Sequence, residues 1–387
     1  MNVADILEKY ELFKEPEITD RFFKHEKLDY LLKRLPSEKF AVDEVGKSEE
    51  LRSLNLVTWG SGPVRIFLWS QMHGDEATGT MALFDLFNFL QTEQFEESAN
   101  MLWQNCTLFM LPMVNPDGAE RFTRRNALQI DINRDFLITS SVEARILKSL
   151  RASIQPHFGF NLHDQDTLWS VNGSLKPATL SYLAPSFDAS STINETRGDA
   201  MLVIAEIYKE LNAMLPLHIG LFKDEYEPRA FGDNFQLAGT STILIEAGGY
   251  ADDYEKQNIR KYYFLSVIAG LYAIAEKTYI GNNIADYYNI PKNDKQIFHI
   301  LIRDIDLDGM ETSIGINYDM KYITEHQAVE RIYYIKDIGD LTYCNAYATY
   351  SGKNTQIEGK IIFDCCANFN LVENGKTILS FTNGLLS

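Results

Sequence analysis

The sequence predicts an α/β fold in which a mainly parallel or mixed sheet is flanked by helices, followed by a small β-rich domain. Three observations predict this fold. Short apolar runs alternate with longer amphipathic stretches through residues 1–288. The runs are apolar at nearly every position, which is typical of strands that helices cover on both faces. From residue 292 the pattern changes to short segments of alternating polarity, which are typical of half-buried strands. We therefore predict two domains, residues 1–288 and residues 292–387.

The strands and helices of the first domain follow from these patterns. Predicted strands occupy residues 54–59, 64–69, 106–112, 157–162 and 241–246. Predicted helices occupy residues 78–94, 140–154, 194–214 and 252–276. Ser140 and Glu143 stand three residues apart, which predicts a capping box at the start of the second helix.

The second domain is predicted to consist of short strands. Its strand candidates are "IFHILIRDID", "RIYYIKDI", "IEGKIIFDCC" and "KTILSFTNG". Asn374-Gly375 predicts a two-residue hairpin turn. Cys365 and Cys366 are adjacent, and we expect a strand with one thiol on each face rather than a disulfide between them. The domain lacks a catalytic constellation, so we expect it to cover sheet edges or to mediate self-association into a homo-oligomer, with substrate gating as the weaker alternative.

Composition restricts the class of partner. The formal net charge of -18 argues against nucleic acid and anionic membranes, which both require clustered Lys and Arg. No stretch approaches the ~18 consecutive apolar residues of a membrane span. The N-terminal residues are charged throughout and lack the apolar core of a secretory signal. With only four cysteines and no zinc-knuckle spacing among them, we expect a soluble, cytoplasmic protein with reduced thiols.

Polar residues follow four of the predicted strands, at the point where each strand ends. His73 and Glu76 follow strand 64–69, and His163 directly follows strand 157–162. Glu246 ends strand 241–246, and an arginine-rich loop follows strand 106–112. Open α/β sheets bind ligands beyond the carboxyl ends of their strands. We therefore expect these side chains to lie together at one edge of the sheet.

His73, Glu76 and His163 form a set of two histidines and one carboxylate. Catalytic zinc uses this class of ligands and keeps its fourth position open. The spacing His-x-x-Glu alone occurs often by chance, and alone it favours a surface or capping role. With His163 at the end of another strand, the set favours one metal ion per chain. The other five histidines lack a comparable context and are expected to be structural: His25, His157, His218, His299 and His326.

Glu246 and the pair Asn133-Arg134 complete the candidate site. A carboxylate at the end of an apolar strand costs free energy unless it is paired or functional. Glu246 could form a salt bridge to a nearby arginine, or it could be a general base with a raised pKa. The metal set favours the general base. The planar guanidinium of Arg134 beside the amide of Asn133 suits bidentate capture of a substrate carboxylate.

These motifs resemble, in their order, the zinc metallocarboxypeptidases of the carboxypeptidase A type. The quoted segments are "HGDE" at His73, "NPDG" at Asn115, "RRNALQIDINRDF", "FNLHDQ" around His163 and "ILIEAGG" around Glu246. The segment "FAVDEVGKSEELRSL" also resembles the family's approach to the first strand. The spacing of the arginine element is close to that of the bacterial peptidoglycan-peptide amidase branch. The resemblance covers residues 38–276 and excludes the β-rich domain.

The resemblance implies a zinc-dependent carboxypeptidase that hydrolyses the C-terminal amide bond of a peptide, with a cell-wall-derived peptide as one candidate. It implies that His73, Glu76 and His163 hold one Zn²⁺, and that Glu246 and the zinc activate a water for attack. Glu246 would then pass the proton to the leaving amine.

The resemblance also implies the groups that bind substrate. Arg124 would polarise the scissile carbonyl and stabilise the oxyanion. Asn133 and Arg134 would hold the terminal carboxylate, and Asp131 would orient His73. Tyr226 is the candidate for the tyrosine that closes over the substrate, and Tyr250 is the weaker candidate.

Departures from the family pattern leave alternatives open. Asp135 stands where the family often has asparagine, which is expected to add negative charge beside the carboxylate clamp. Segment 229–240 is expected to supply specificity residues. The second hypothesis is a zinc deacylase of N-acyl amino acids, of the aspartoacylase and succinylglutamate desuccinylase type. Its substrates also carry an amide beside a free carboxylate. A third, disfavoured hypothesis is a non-catalytic binding protein on an inherited fold.

Overall fold

The computed structural model describes residues 3–307, 309–325 and 327–387, so His326 lies outside the described residues. The chain divides into two compact units. The first comprises Met1–Thr167 and Ala178–Asn293, and the second comprises Leu168–Pro177 and Asp294–Ser387. Residues 168–177 thus belong to the second unit, although no sequence pattern predicts this. The predicted domain limits, 1–288 and 292–387, stay a prediction.

The first unit is built on an eight-stranded mixed sheet. The strands up to residue 247 are β1 Ala41–Lys47, β2 Ser53–Gly60, β3 Val64–Ser70, β4 Cys106–Leu111, β5 Phe158–Asp164, β6 Ser170–Val171, β7 Leu180–Leu183, β8 Ile219–Leu221 and β9 Ser241–Ala247. All of these except β6 form the sheet, in the order β1-β2-β4-β3-β5-β9-β7-β8. The central strands β4, β3, β5 and β9 are parallel, and β7 is parallel to β8. The pairs β1-β2, β2-β4 and β9-β7 are antiparallel. The predicted fold class, a mixed sheet with helices, is confirmed.

Helices cover both faces of this sheet. They are α1 Val3–Glu8, α2 His25–Leu32, α3 Thr78–Gln91, α4 Glu96–Asn105, α5 Pro116–Ala119, α6 Val142–Ile154, α7 Glu195–Leu211, α8 Phe231–Leu237, α9 Gln257–Glu276 and α10 Ile284–Tyr288. In β3, Ile66 and Leu68 belong to one buried apolar cluster, and Phe67 and Trp69 belong to another. Because successive strand residues face opposite sides, the sheet is buried on both faces. Of the helices that the structure describes, none is both long and apolar enough to cross a lipid bilayer.

Two helix starts differ from the prediction. The cap of α6 is Ser141, whose hydroxyl accepts a hydrogen bond from the amide of Ala144 at 3.3 Å, so the predicted capping box at Ser140 is wrong by one residue. Helix α9 begins at Gln257 rather than at residue 252. Asp252 and Lys256 both have positive φ angles, of 56° and 51°, which an α-helix cannot contain.

The second unit is rich in β-strands. They are β10 Asn293–Asp294, which includes the last residue of the first unit, and β11 Ile297–Leu307, β12 Met310–Ile323, β13 Ala328–Gly339, β14 Asn345–Ser351, β15 Thr355–Lys360, β16 Asn368–Glu373, β17 Lys376–Thr382 and β18 Leu385–Leu386. Eight of them form two four-stranded sheets, in the orders β13-β12-β11-β14 and β15-β16-β17-β18. An apolar cluster that includes Ile302, Ile316 and Phe381 forms the core.

Two predictions for this unit have different outcomes. Asn374 and Gly375 join β16 to β17 with φ angles of 50° and 77°, which confirms the two-residue hairpin turn. The strand predicted through Cys365 and Cys366 is wrong, because β15 ends at Lys360 and both thiols are exposed in the loop that follows. Asp364, directly before the two cysteines, has a φ angle of 57°, which an extended strand does not contain.

Candidate metal centre

The parallel strands β3, β5 and β9 carry the candidate site at their carboxyl ends. Ser70 at the end of β3 pairs with Leu162 of β5, and His163 of β5 pairs with Glu246 of β9. A turn follows β3 directly, in which the amide of Glu76 donates a hydrogen bond to the carbonyl of His73 at 3.1 Å. The sheet register and this turn therefore bring the side chains of three strands to one edge.

His73, Glu76 and His163 converge on one point. One ligand atom from each lies within 4.8 Å of the other two. Nδ1 of His73 lies 2.7 Å from Oε1 of Glu76, and Nδ1 of His163 lies 2.7 Å from Oε2. The three side chains are buried, with 2%, 8% and 3% of the residue surface exposed. The sequence-predicted metal set is thus assembled in space.

The chemistry of this set fits a zinc ion. Two imidazole nitrogens and one carboxylate are the ligands typical of catalytic zinc. Nε2 of His73 lies 3.2 Å from Oδ1 of Asp131, so the ring is held with Nδ1 facing the candidate site. The carboxylate of Glu76 also accepts a hydrogen bond from the amide of Asp164 at 3.1 Å. Groups outside the set thus hold two of its three members in place.

Burial and charge act on the pKa values of the three groups in opposite directions. Burial acts to lower the pKa of His73, but the charges and hydrogen bonds of Glu76 and Asp131 raise it overall. Burial alone would raise the pKa of Glu76, but the two imidazoles hold it well below its ordinary value. The pKa of His163 is lowered, because burial outweighs the attraction of Glu76. A carboxylate that stays ionised beside imidazoles is suited to binding a cation.

Glu246 lies beside this set without a counter-ion. It is 8% exposed, and its Oε2 has no hydrogen-bond partner among the residues that the structure describes. It also forms no ion pair within that part of the chain, so the alternative of a salt bridge to an arginine gains no support. Burial raises its pKa well above the ordinary value, and the nearby carboxylates of Glu76 and Asp164 raise it further. This is the environment of a proton acceptor.

Arg124 and Asp131 lie at the rim of the metal set. The guanidinium of Arg124 is half-exposed, and its NH1 lies 3.1 Å from Nδ1 of His73 and 3.4 Å from Oε1 of Glu76. Its Nε donates to Oδ2 of Asp131 at 3.0 Å. Burial would raise the pKa of Asp131, but His73 and Arg124 lower it overall. Arg124 thus presents a positive charge at the open side of the set.

Asn133 and Arg134 lie in the short 3-10 helix Ile132–Arg134. Oδ1 of Asn133 accepts a hydrogen bond from the amide of Phe231 at 3.0 Å. The half-exposed guanidinium of Arg134 donates through NH1 to the carbonyl of Asn133 at 2.8 Å. Its Nε lies 3.2 Å from Oε2 of Glu227, which also accepts a hydrogen bond from Arg229 at 2.7 Å. Glu227, which the sequence pattern did not indicate, therefore balances the charge of the predicted carboxylate clamp.

Asp135 does not face the clamp, which corrects the expectation of added negative charge there. Its carboxylate accepts hydrogen bonds from the amides of Ser140 and Ser141 and from the hydroxyl of Ser141, at 2.8 to 2.9 Å. Asp135 is therefore a structural residue at the start of α6.

Tyr226 is half-buried, and among the described residues it shares none of the contacts that join the other site residues. Tyr250 packs against the main apolar cluster.

Asp164 and Lys256 were missed by sequence reasoning. Asp164 directly follows His163, and its Oδ2 accepts hydrogen bonds from the hydroxyl of Thr78 at 2.7 Å and from Nζ of Lys256 at 2.9 Å. Lys256 is only 1% exposed. The position of Asp164 beside His163 is a signal that could have identified it. Lys256 lies in a loop without periodicity, and no sequence signal separates it from other lysines.

A family model and several curated relatives match part of the chain. Residues 26–170 match the family model described as zinc carboxypeptidase. Carboxypeptidase 2 of Trichophyton rubrum is 32% identical over 104 residues, which cover 27% of this chain and 19% of that protein. Carboxypeptidase SOL1 of Arabidopsis thaliana is 38% identical over 66 residues, which cover 17% and 13%. The chain therefore matches less than a fifth of the length of these curated relatives.

Solved structures resemble the chain over a larger share. A metallo-carboxypeptidase from Burkholderia cenocepacia has a TM-score of 0.54 at 15% identity, covering 66% of this chain and 70% of that chain. The metallo-carboxypeptidase from Pseudomonas aeruginosa, in complex with (2-guanidinoethylmercapto)succinic acid, has a TM-score of 0.53 at 16% identity, with coverage of 66% and 70%. Carboxypeptidase A from Helicoverpa armigera has a TM-score of 0.51 at 18% identity, with coverage of 71% and 81%. The family model thus confirms the resemblance predicted from the motifs over residues 26–170, and the solved structures show that the fold is that of metallo-carboxypeptidases.

Proposed function

Because residues 26–170 match the zinc carboxypeptidases and the fold is that of metallo-carboxypeptidases, we propose that this protein is a zinc-dependent carboxypeptidase. It would hydrolyse the C-terminal amide bond of a peptide. The observation that carries the proposal is the convergence of His73, Glu76 and His163 next to the unpaired carboxylate of Glu246. The family resemblance and the donor chemistry of the site support it independently.

His73, Glu76 and His163 would hold the zinc ion. When bound, zinc supplies a Lewis acid that polarises a carbonyl and lowers the pKa of a water. Glu246 takes the proton from the attacking water, and its raised pKa makes it a stronger base than an exposed carboxylate. Glu246 then returns this proton to the leaving amine. Two proton transfers in one turnover are thus assigned to one buried carboxylate.

Arg124 is proposed to stabilise the negative charge that develops on the carbonyl oxygen. Its guanidinium lies beside His73 and Glu76, and Asp131 fixes its Nε. Its NH1 lies against the proposed ligand atoms of His73 and Glu76, so this arm of the guanidinium would be released towards the carbonyl oxygen once those atoms hold zinc. Asp131 therefore has two positioning roles, because it holds both Arg124 and the ring of His73.

Arg134, with Asn133, is the group proposed to select a free C-terminal carboxylate. Two of its donors are engaged by Glu227 and by the carbonyl of Asn133, which fixes the plane of the guanidinium. The half-exposed remainder of the guanidinium can receive a carboxylate. A clamp of this kind makes the enzyme an exopeptidase. The same clamp also suits N-acyl amino acids, so substrates of the deacylase hypothesis belong in the test.

The test is hydrolysis by zinc-loaded protein of free peptides and of N-acyl amino acids, measured by amine release. The matched control is the same protein after removal of zinc by a chelator and after zinc is restored. We expect peptide hydrolysis that is lost with zinc and recovered with it. Hydrolysis of N-acyl amino acids alone would replace the peptidase by the deacylase, and hydrolysis that survives zinc removal would contradict both.

Compartment and assembly are further parts of the proposal. All four cysteines are free in the structure, which supports a reducing compartment such as the cytoplasm. Self-association through the β-rich second unit is proposed for the holoenzyme, and its molar mass in solution, measured by light scattering, tests this point.

A further inference from the structure

Lys256 is a buried cation at the edge of the sheet that carries the metal centre. Its ammonium group donates two hydrogen bonds of 2.9 Å, one to Oδ2 of Asp164 and one to the carbonyl of Ala247. Only 1% of the residue is exposed, and burial lowers its pKa. An ammonium group in such an environment costs free energy unless it is paired and hydrogen-bonded. The carboxylate of Asp164 and the carbonyl of Ala247 therefore offset the free-energy cost of burying the ammonium group.

The backbone of Lys256 is also unusual. Its φ angle of 51° lies in the left-handed region, and the residue caps the start of α9. Non-glycine residues in this region store strain, and such residues concentrate at functional sites. The strain is tolerated here together with the cost of burying the charge. The buried charge and the strained backbone are two independent costs at Lys256. They indicate that the ammonium group is needed at this buried position.

The two acceptors belong to the two strands that carry the proposed chemistry. Asp164 and Ala247 are direct register partners on β5 and β9. Each stands one residue after a site residue, because His163 precedes Asp164 and Glu246 precedes Ala247. The ammonium of Lys256 thus links the ends of the strand bearing the third metal ligand and the strand bearing the proposed base.

Asp164 extends this link to a second metal ligand. Its amide donates to Oε2 of Glu76 at 3.1 Å, while its carboxylate accepts from Lys256 and from the hydroxyl of Thr78. The guanidinium of Arg21 also faces this carboxylate, at 3.7 Å. Asp164 is therefore held from its side chain while its backbone holds Glu76.

We propose that Lys256 is a positioning residue that fixes His163 and Glu246 relative to each other through Asp164 and the carbonyl of Ala247. This inference rests on the proposed carboxypeptidase function. The competing explanation is that Lys256 only neutralises the buried charge of Asp164. The two explanations differ in what happens when both charges are removed together.

The test compares Lys256→Met, Asp164→Asn and the double variant in the full-length zinc protein. Lys256→Met alone leaves Asp164 without this partner and should lower Tm. The double variant removes both charges and leaves Arg21 with the carbonyl of Asp75 as an acceptor at 3.4 Å, so it should recover most of the lost Tm and leave the net charge near the zinc unchanged. Arg260→Met with Asp85→Asn is the matched control, because it removes another fully buried ion pair anchored on α9, whose side chains bond to none of the site residues among those described.

Two readouts are measured on each variant: zinc affinity, by competition with a chromophoric chelator, and the separate values of kcat and KM. For the double variant we expect recovered Tm, but zinc affinity and kcat each reduced by about tenfold or more, with KM changed less than about threefold. The control pair should change Tm only. Recovery of zinc affinity and kcat together with Tm would overturn the proposal and leave Lys256 as a simple counter-ion.

The zinc readout separates this inference from the proposed function. If the wild-type protein hydrolyses no peptide, the carboxypeptidase proposal fails, but the loss of zinc affinity in the double variant still tests Lys256. If peptides are hydrolysed and the double variant behaves as wild type in both readouts, the inference about Lys256 fails alone.

Discussion

His163 and Glu246 are direct register partners on the neighbouring parallel strands β5 and β9. Their separation is therefore set by sheet hydrogen bonds rather than by loops. One carries an imidazole of the metal set, and the other a buried carboxylate with an unpaired oxygen. A base that must act on a water beside the metal requires such a fixed separation. This pair is the structural basis for the predictions on Glu246 and His163.

Replacing Glu246 by Gln should abolish peptide hydrolysis and leave zinc binding intact. The amide keeps the size of the side chain but cannot take up a proton, and general-base catalysis contributes about 10²–10⁴-fold. Turnover and the zinc content of the purified protein are measured on the same sample. Loss of zinc together with activity would show that Glu246 has a structural role.

Replacing His163 by Ala should remove the metal. The variant loses one of the three proposed ligands, and two protein ligands should be insufficient for stable zinc binding. Zinc content by elemental analysis is the measurement. His157→Ala is the matched control, since His157 stands directly before the other end of β5 and is exposed. Full zinc content in His163→Ala would break the assignment of the third ligand.

Removing the guanidinium of Arg134 should raise KM for free-acid peptides by about 10- to 100-fold, the value of one or two hydrogen bonds to a charged group. The kcat should change much less, because the clamp is separate from the reacting atoms. Arg125→Ala serves as the control in the same loop, because Arg125 is exposed and its guanidinium donates to the backbone carbonyl of Gln129. An unchanged KM would place the clamp elsewhere.

Asp233 gives a prediction for stability against pH. Burial raises its pKa from 3.8 to about 7, so the folded protein keeps a proton that the unfolded chain releases. Folding therefore becomes less favourable as the pH rises from 3.8 to about 7. Asn at this position can still accept the 2.9 Å hydrogen bond from the amide of Glu227 and has no charge to bury.

We expect the stability gain of Asp233→Asn over wild type to be larger at pH 8.5 than at pH 5.5 by about 2 kcal/mol. Urea denaturation of both proteins at each pH measures it. The exposed Asp252, whose backbone conformation asparagine tolerates, provides the control Asp252→Asn. A gain for Asp233→Asn that does not change with pH would contradict the raised pKa.

The short apolar runs of the sequence made much of the fold and the metal set predictable. The strands that bear His163 and Glu246 are apolar at nearly every position, so both their burial and the edge at which they end could be read from the sequence. His73 and Glu76 follow a strand of the same kind. In such cases the pattern that forms the core also determines where the polar side chains lie.

The residues that escaped prediction come from loops. Lys256 and Glu227 reach the site through segments without periodicity, and their partners are fixed by tertiary contacts alone. The cap of α6 was misplaced by one residue because Ser140 and Ser141 both match the cap preference. They differ in the hydroxyl of Ser141, which donates to Asp135 and accepts from the amide of Ala144. When two neighbouring residues have a similar propensity to cap a helix, tertiary packing determines which of them does so, and the sequence alone does not show this packing.

The central claim is that a free C-terminal carboxylate directs hydrolysis by the zinc site. The most direct measurement is mass spectrometry of one peptide incubated in its free-acid and C-terminally amidated forms with zinc-loaded protein, with Glu246→Gln as the blank. A carboxypeptidase should remove a single C-terminal residue from the free-acid form only. Equal cleavage of the amidated form, or cleavage within the chain of either form, would contradict it.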